Sequence, residues 1–241
     1  AVLVGRMRGV TSLVGLGITG AILMLFIAPQ ILAGKDAFVV ALIGAGGIVL
    51  VSMFVSHGFN RRIQVAAVST LATLAISGVM TYCFVFVSKL FGLGQSDAFL
   101  LQTGFLGTLN LQGVLLAGIV ISVLGILDDV TTAQTAAVEE ISKADSKLSV
   151  KELYSKGLSV GREHIASLIN TLILVYAGAA LPLFLLLTLQ KRQPLWVLMN
   201  SEFIAEELVR SLIGSTTLIL AVPISTILAA YIFSRSNKNI T

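Results

Sequence analysis

Six stretches of this chain, at about 11–33, 37–58, 63–90, 113–132, 163–189 and 211–233, are each apolar over enough length to cross about 30 Å of hydrocarbon. None alternates with a period of two, so a barrel is disfavoured. Backbone groups that must bond to one another in lipid are then satisfied by helices. The expected fold is all-α: a polytopic transmembrane helix bundle of six spans, forming a single domain over residues 1–241. Composition agrees, because 56% of the 241 residues are hydrophobic and only 12% are charged. A soluble domain carries about a quarter charged residues. Lipid is the expected surrounding.

The distribution of positive charge sets an expected orientation. With the first residues inside, Arg6, Arg8, Arg61, Arg62, Lys143, Lys147, Lys151, Lys156, Arg162, Arg235 and Lys238 fall on the cytoplasmic side. Only Lys35, Lys89, Lys191, Arg192 and Arg210 fall on the other. Both termini are therefore expected to be cytoplasmic. The net charge of +4 is dispersed over loops, so no nucleic-acid partner is expected. Cys83 is the one cysteine, which excludes a disulfide framework and a cysteine metal site.

Three connections are more than simple loops. Residues 92–110 mix apolar residues with Gly and Gln and read as an interfacial or re-entrant segment. Residues 201–209 read as a short amphipathic helix capped by Ser201, with Glu202, Glu206 and Glu207 toward water. Residues 133–161 read as a cytoplasmic helical hairpin. In it the fourth span continues as helix and turns near Asp145. A second helix starts at a Ser149/Glu152 capping box and ends at Gly157.

At the end of the fourth span two adjacent carboxylates, Asp128 and Asp129, follow an apolar run. A carboxylate in mid-membrane costs roughly 2.5 to 3.5 kcal/mol on insertion scales, so its presence marks a pathway, a binding site or a buried pair. Gly118, Ser122, Gly125, Asp129, Thr132 and Ala136 recur at intervals of three and four, which reads as a small-residue packing stripe ending in Asp129. Asp128, about 100° away, is expected to reach toward water. The fifth span enters from the same side and offers His164, Ser167, Asn170 and Thr171 at similar depth. Asp129 is expected to meet Ser167, Asn170 or Thr171. His57 reads as an ordinary interfacial histidine beside Arg61 and Arg62, and His164 as an interfacial histidine or a ligand.

The run GILDDVTTAQTAAVEEI (125–141) and the run GREHIASLINTLILVYAGAALPL (161–183) together resemble the YibE/F-like family of bacterial multi-pass membrane proteins. The residues that carry the resemblance are Asp128, Asp129, Gln134, Glu140, Gly161, Arg162, His164, Asn170, Thr171 and Leu172. The resemblance implies a multi-pass protein of the bacterial plasma membrane. It also implies a core that longer members precede with an extracytoplasmic segment and further hydrophobic sequence. It supplies no activity.

Two functional readings follow from the residues themselves. In the first, the chain is a transporter or permease for a small solute or ion. Asp128, Asp129, Thr132, Gln134, His164, Ser167, Asn170 and Thr171 then form a polar site whose oxygens suit a cation or proton. In the second, it is a structural or accessory subunit that docks a membrane partner, or a second copy, through the 133–161 hairpin. The Asp pair then merely locks two helices. No HExxH motif is present and no nucleophile triad assembles, so an enzyme is not expected. No cofactor is expected, and a metal at the Asp pair stays open.

Overall fold

In the computed structural model, residues 2–94, 109–182 and 200–238 are described, together with isolated positions between 183 and 199. The side chains of 2–9 and 235–238 lie outside that description, as do residues 95–108, which hold most of the expected 92–110 interfacial segment. Every regular element among the described residues is helical. The first span comprises α1 (Val2–Ile22), a π-helical turn (Leu23–Ile27) and α2 (Ala28–Leu32). Then come α3 (Ala37–His57), α4 (Arg61–Val87), α5 (Leu111–Ala144), α6 (Val150–Ala179) and α7 (Glu202–Lys238).

Helices that meet the length and hydropathy of a membrane span cover Val10–Leu32, Ala37–His57, Arg61–Val87, Leu111–Ala144 and Glu202–Ser234. The expected fifth span, 163–189, begins within α6 and passes beyond Ala179 into residues that are only partly described.

Local chemistry explains where the helices start. Asp36 Oδ1 accepts from Val39 N at 2.9 Å, Asn60 Oδ1 from Ile63 N at 2.9 Å and Asn110 Oδ1 from Gly113 N at 3.2 Å. Each caps an N–H that has no partner inside its own helix. Before Asp36 the chain reverses at Gly34, whose φ of +81° suits a residue without Cβ. The π turn has a cause as well. Pro29 has no N–H to give and its ring would crowd the Leu25 carbonyl, so the wider turn ahead of it absorbs the mismatch.

The hairpin turns where the sequence places it, with α5 ending at Ala144 and Asp145 as its C-cap. The Ser149/Glu152 capping box is formed, with Glu152 N donating to Ser149 Oγ at 3.3 Å and Ser149 N donating to Glu152 Oε2 at 2.9 Å. The expected stop at Gly157 does not occur. Gly157 is buried inside α6, where a Cβ would lie 2.7 Å from Val138 Cγ2, so this glycine permits close packing instead of ending a helix.

The expected separate helix at 201–209 is likewise the first part of α7. Its acids are not all toward water. Glu202 Oε1 accepts from the backbone N–H of Phe91 and, at 3.3 Å, of Leu93, while the buried Glu206 accepts from Gly94 N at 2.9 Å. These carboxylates satisfy turn N–H groups that a glycine-rich loop cannot satisfy by itself.

The centre of the bundle is α5, packed against α7, α4 and α3. Ile119, Val120, Val123, Leu127 and Val130 are buried there. Against them α4 presents Ser69, Thr70, Thr73, Ser77 and Thr81, all fully buried. Most of these hydroxyls donate to the carbonyl one turn back, as Ser69 does to Val65 at 2.8 Å. Two make contacts between helices. Thr70 Oγ1 and Thr131 Oγ1 lie 2.6 Å apart, and Thr217 donates to Ser77 Oγ at 3.1 Å.

By contrast, α1 has α3 as its main helical neighbour. Two glycines set that seam. Gly44 of α3 receives Ile27, whose Cδ1 would be 2.4 Å from a Cβ there. Gly15 of α1 receives the hydroxyls of Ser52 and Ser56.

Bonds from Ser149 hold the exposed Glu152 carboxyl below its ordinary range, first through the hydroxyl and then through the backbone N–H. A depressed folded pKa adds stability above the unfolded value, and that stability disappears as pH falls through the folded value. The Glu152→Gln protein should therefore melt below the parent at neutral pH. In thermal unfolding the gap should close under acid conditions.

Candidate functional site

The fourth span carries Asp128 and Asp129 on α5 near the end of the bundle that bears the hairpin. Ile121, Leu124, Gly125 and Asp128 recur at helical spacing on the face of α5 that looks across to α3 and α1. Because α1 rests on α3, a gap remains between α1 and α5. That gap is a partly open cavity of about 340 Å³. Its polar wall is Ser12 and Thr19 from α1, Ser52, Ser56 and His57 from α3, and Asp128 and Asp129 from α5. It runs from His57, the last residue of α3, to Ile48, a distance of about 13 Å along the helix axis.

The two carboxylates differ. Asp129 is exposed, whereas Asp128 is half-buried and its Oδ1 is enclosed without a hydrogen-bond partner. This reverses the expectation that Asp129 points into the bundle and Asp128 toward water. The small residues that prompted the expectation do not form a helix seam here: Gly125 is exposed, and a Cβ on Gly118 or Gly125 would meet nothing within 4 Å. The inner face of α5 is instead filled by Ile119, Val123, Leu127 and Val130, whose branched side chains occupy the space between α4 and α7. Gly125 leaves the cavity wall open.

The fifth-span residues lie elsewhere. Ser167, Asn170 and Thr171 are exposed on α6, His164 is half-buried, and none of them lines the cavity. Thr171 donates back to the Ser167 carbonyl at 3.1 Å. The inward face of α6 is apolar, with Ile165, Leu168, Ile169 and Leu172 on the core, and burying that row turns the polar residues outward. Asp129 therefore does not meet Ser167, Asn170 or Thr171 in this structure. Thr132 lies one turn beyond Asp128, with its hydroxyl oxygen enclosed and unpartnered.

Gln134 is fully engaged in a junction of three helices, away from the cavity. Its Nε2 donates to the Gly157 carbonyl of α6 at 2.8 Å and to Thr226 Oγ1 of α7 at 2.8 Å. Gly161 completes the junction, because a Cβ there would lie 2.3 Å from Val222 Cγ1 and 2.9 Å from Gln134 Oε1. Gln134 and Gly161 thus hold α5, α6 and α7 together.

Sequence reasoning passed over His57, Ser52, Ser56 and Gly15 as site residues. A signal for them existed: Ser52 and Ser56 are one turn apart on an otherwise apolar helix that ends in His57. Among the described residues no three His, Cys, Asp or Glu side chains converge on one point.

Adding a methyl group at the three-helix junction has nowhere to go without displacing Val222 or the Gln134 amide. Gly161→Ala should lower stability by about 1–3 kcal/mol, the usual cost of overpacking. Gln134→Leu should also destabilise, by about 1 kcal/mol, because it strips partners from two buried oxygens. Thermal unfolding of the detergent-purified variants checks both.

No curated protein and no solved structure matches this chain. A family model described as YibE/F-like protein matches residues 1–235, nearly the whole sequence, with the Asp pair, Gln134 and the 161–172 motif inside the match. The chain, a multi-pass membrane protein by its apolar helices, belongs to the YibE/F-like family.

Proposed function

We propose that this protein is a transporter or permease that passes a small cationic solute or ion across the bacterial plasma membrane, with Asp128 as the binding carboxylate. The observation that carries the reading is the enclosed, unpartnered Oδ1 of Asp128 at a cavity whose other polar groups are a second carboxylate, an imidazole and hydroxyls. A carboxylate withdrawn from water attracts cations far more strongly than one in bulk solvent. A purely helix-locking Asp would have its oxygens hydrogen-bonded to the neighbouring helix.

The orientation that places both termini in the cytoplasm puts His57, Asp128 and the hairpin at the cytoplasmic end. The cavity then opens from that side. Docking through the hairpin has less support. Lys143 pairs with Glu139 at 3.2 Å and Glu140 at 2.9 Å, and Arg62 lies 3.6 Å from Glu139, so these charges are engaged within the chain. Its apolar residues Val138 and Leu153 are buried with Phe233.

Flux through the purified protein in liposomes tests the proposal. Asp128→Asn should reduce cation flux by at least about tenfold, equivalent to about 1.4 kcal/mol, while Asp129→Asn keeps most of it. Equal flux from the parent and from Asp128→Asn sinks the role given to this carboxylate.

A further inference from the structure

The transport reading leaves the valence and chemical identity of the cation open. We infer that the cavity binds a monovalent metal cation between Asp128 and the hydroxyls of Ser52 and Ser56, in competition with a proton. As a statement about cargo this rests on the transport reading, but the binding site itself does not depend on flux.

The charge of the cavity favours a single positive ion. Among the described residues no Lys or Arg lines the cavity, so an anion finds no counter-charge among them. Asp128 has an enclosed, unpartnered oxygen, while Asp129 is an exposed residue. One enclosed negative charge is neutralised by one positive charge. A divalent ion there would leave an excess positive charge in a weakly polar setting, which is costly.

The donor set fits the same ion. Calcium takes six to eight oxygens from several carboxylates, and magnesium keeps several waters in a strict octahedron. Transition metals favour converging imidazoles and thiolates, and no such group of three forms among the described residues. What α3 offers instead is a pair of hydroxyls one turn apart, with Ser52 only 8% exposed. Neutral oxygens can replace part of an ion's water shell without adding charge.

The shape of α1 makes room for these hydroxyls. A Cβ on Gly15 would lie 2.1 Å from Ser56 Oγ and 3.1 Å from Ser52 Oγ. The two hydroxyls thus occupy the place of an absent side chain, and glycine is what lets them stand between α1 and the cavity.

A proton competes at the same carboxylate. Asp129 faces it from the same helix and His57 from α3, while the described polar side chains of α1 at the cavity are Ser12 and Thr19. On α4, Arg62 lies 3.6 Å from Glu139 and does not line the cavity. Acid therefore weakens cation binding by protonating Asp128.

The test is thermal unfolding of the whole chain in detergent, titrated with lithium, sodium or potassium chloride against choline chloride at equal ionic strength, and separately with magnesium and calcium. At least one alkali cation should raise the melting temperature where choline does not. Its apparent Kd should rise by up to about tenfold for each unit of falling pH. The shift should vanish in Asp128→Asn and persist in Asp129→Asn. Ser56→Ala, which removes a hydroxyl and no charge, should weaken the titration while leaving the salt-free melting temperature near the parent's. It therefore decides the matter even if Asp128→Asn fails to fold. A shift with divalent ions alone, an equal shift with choline, or an unchanged titration in Ser56→Ala overturns the inference. Liposome flux run in parallel separates the two proposals: alkali-cation binding without flux removes the transport reading and leaves the site, whereas flux without alkali-cation binding does the reverse.

Discussion

Helices in hydrocarbon gain little by hiding apolar side chains from one another, because lipid tails are as apolar as leucine. What this bundle depends on is hydroxyl and amide contact at close-packed seams. The buried Ser and Thr row of α4 keeps side chains small enough for α5 and α7 to approach, and its hydroxyls are satisfied largely within their own helix. Where two helices need a fixed register, a polar pair supplies it, as at Thr70 with Thr131, Ser77 with Thr217 and Gln134 with Thr226. The apolar core of α5 fits between these points.

The same constraint explains the treatment of charge. Several acids and bases cap helices, pair with each other or meet turn N–H groups, as Asp36, Lys143 and Glu206 do. Asp128 departs from this pattern, with one side-chain oxygen enclosed and unpartnered. An arrangement that costs stability and is left uncompensated by packing is the expected mark of a working group.

Much of the architecture was legible in the sequence. Long apolar runs declared the helices, the Ser149/Glu152 capping box declared the start of α6, and Asp145 marked the hairpin turn; the caps at Asp36, Asn60 and Asn110 show only in the structure. Helix spacing fixed the angle between Asp128 and Asp129, but it could not say which neighbour stood on either side. Gly118 and Gly125 read as a seam by composition alone, yet branched apolar residues claimed the interior and left those glycines outside. For the same reason the polar row of the fifth helix, so close to the Asp pair in depth, lies off the cavity. Gly157 and Gly161 looked like punctuation and motif, and are contact points. Such choices are made by packing between segments distant in sequence, which a single helix pattern does not encode.

The first span is held differently from every other long helix. Its contacts run mainly along one side, through Gly15, through Ile27 at Gly44, and through the bond from Thr11 to the Ser56 carbonyl. The three polar locks of the core do not involve it. A swing of this helix away from α5 therefore loosens a cavity wall at the cost of one seam, while the register of the other helices is kept. The π turn before Pro29 lies in the last third of this single-sided arm, where the helical ladder is already interrupted. The acidic pair thus sits on α5 along the line where the first span faces the rest of the bundle across the cavity.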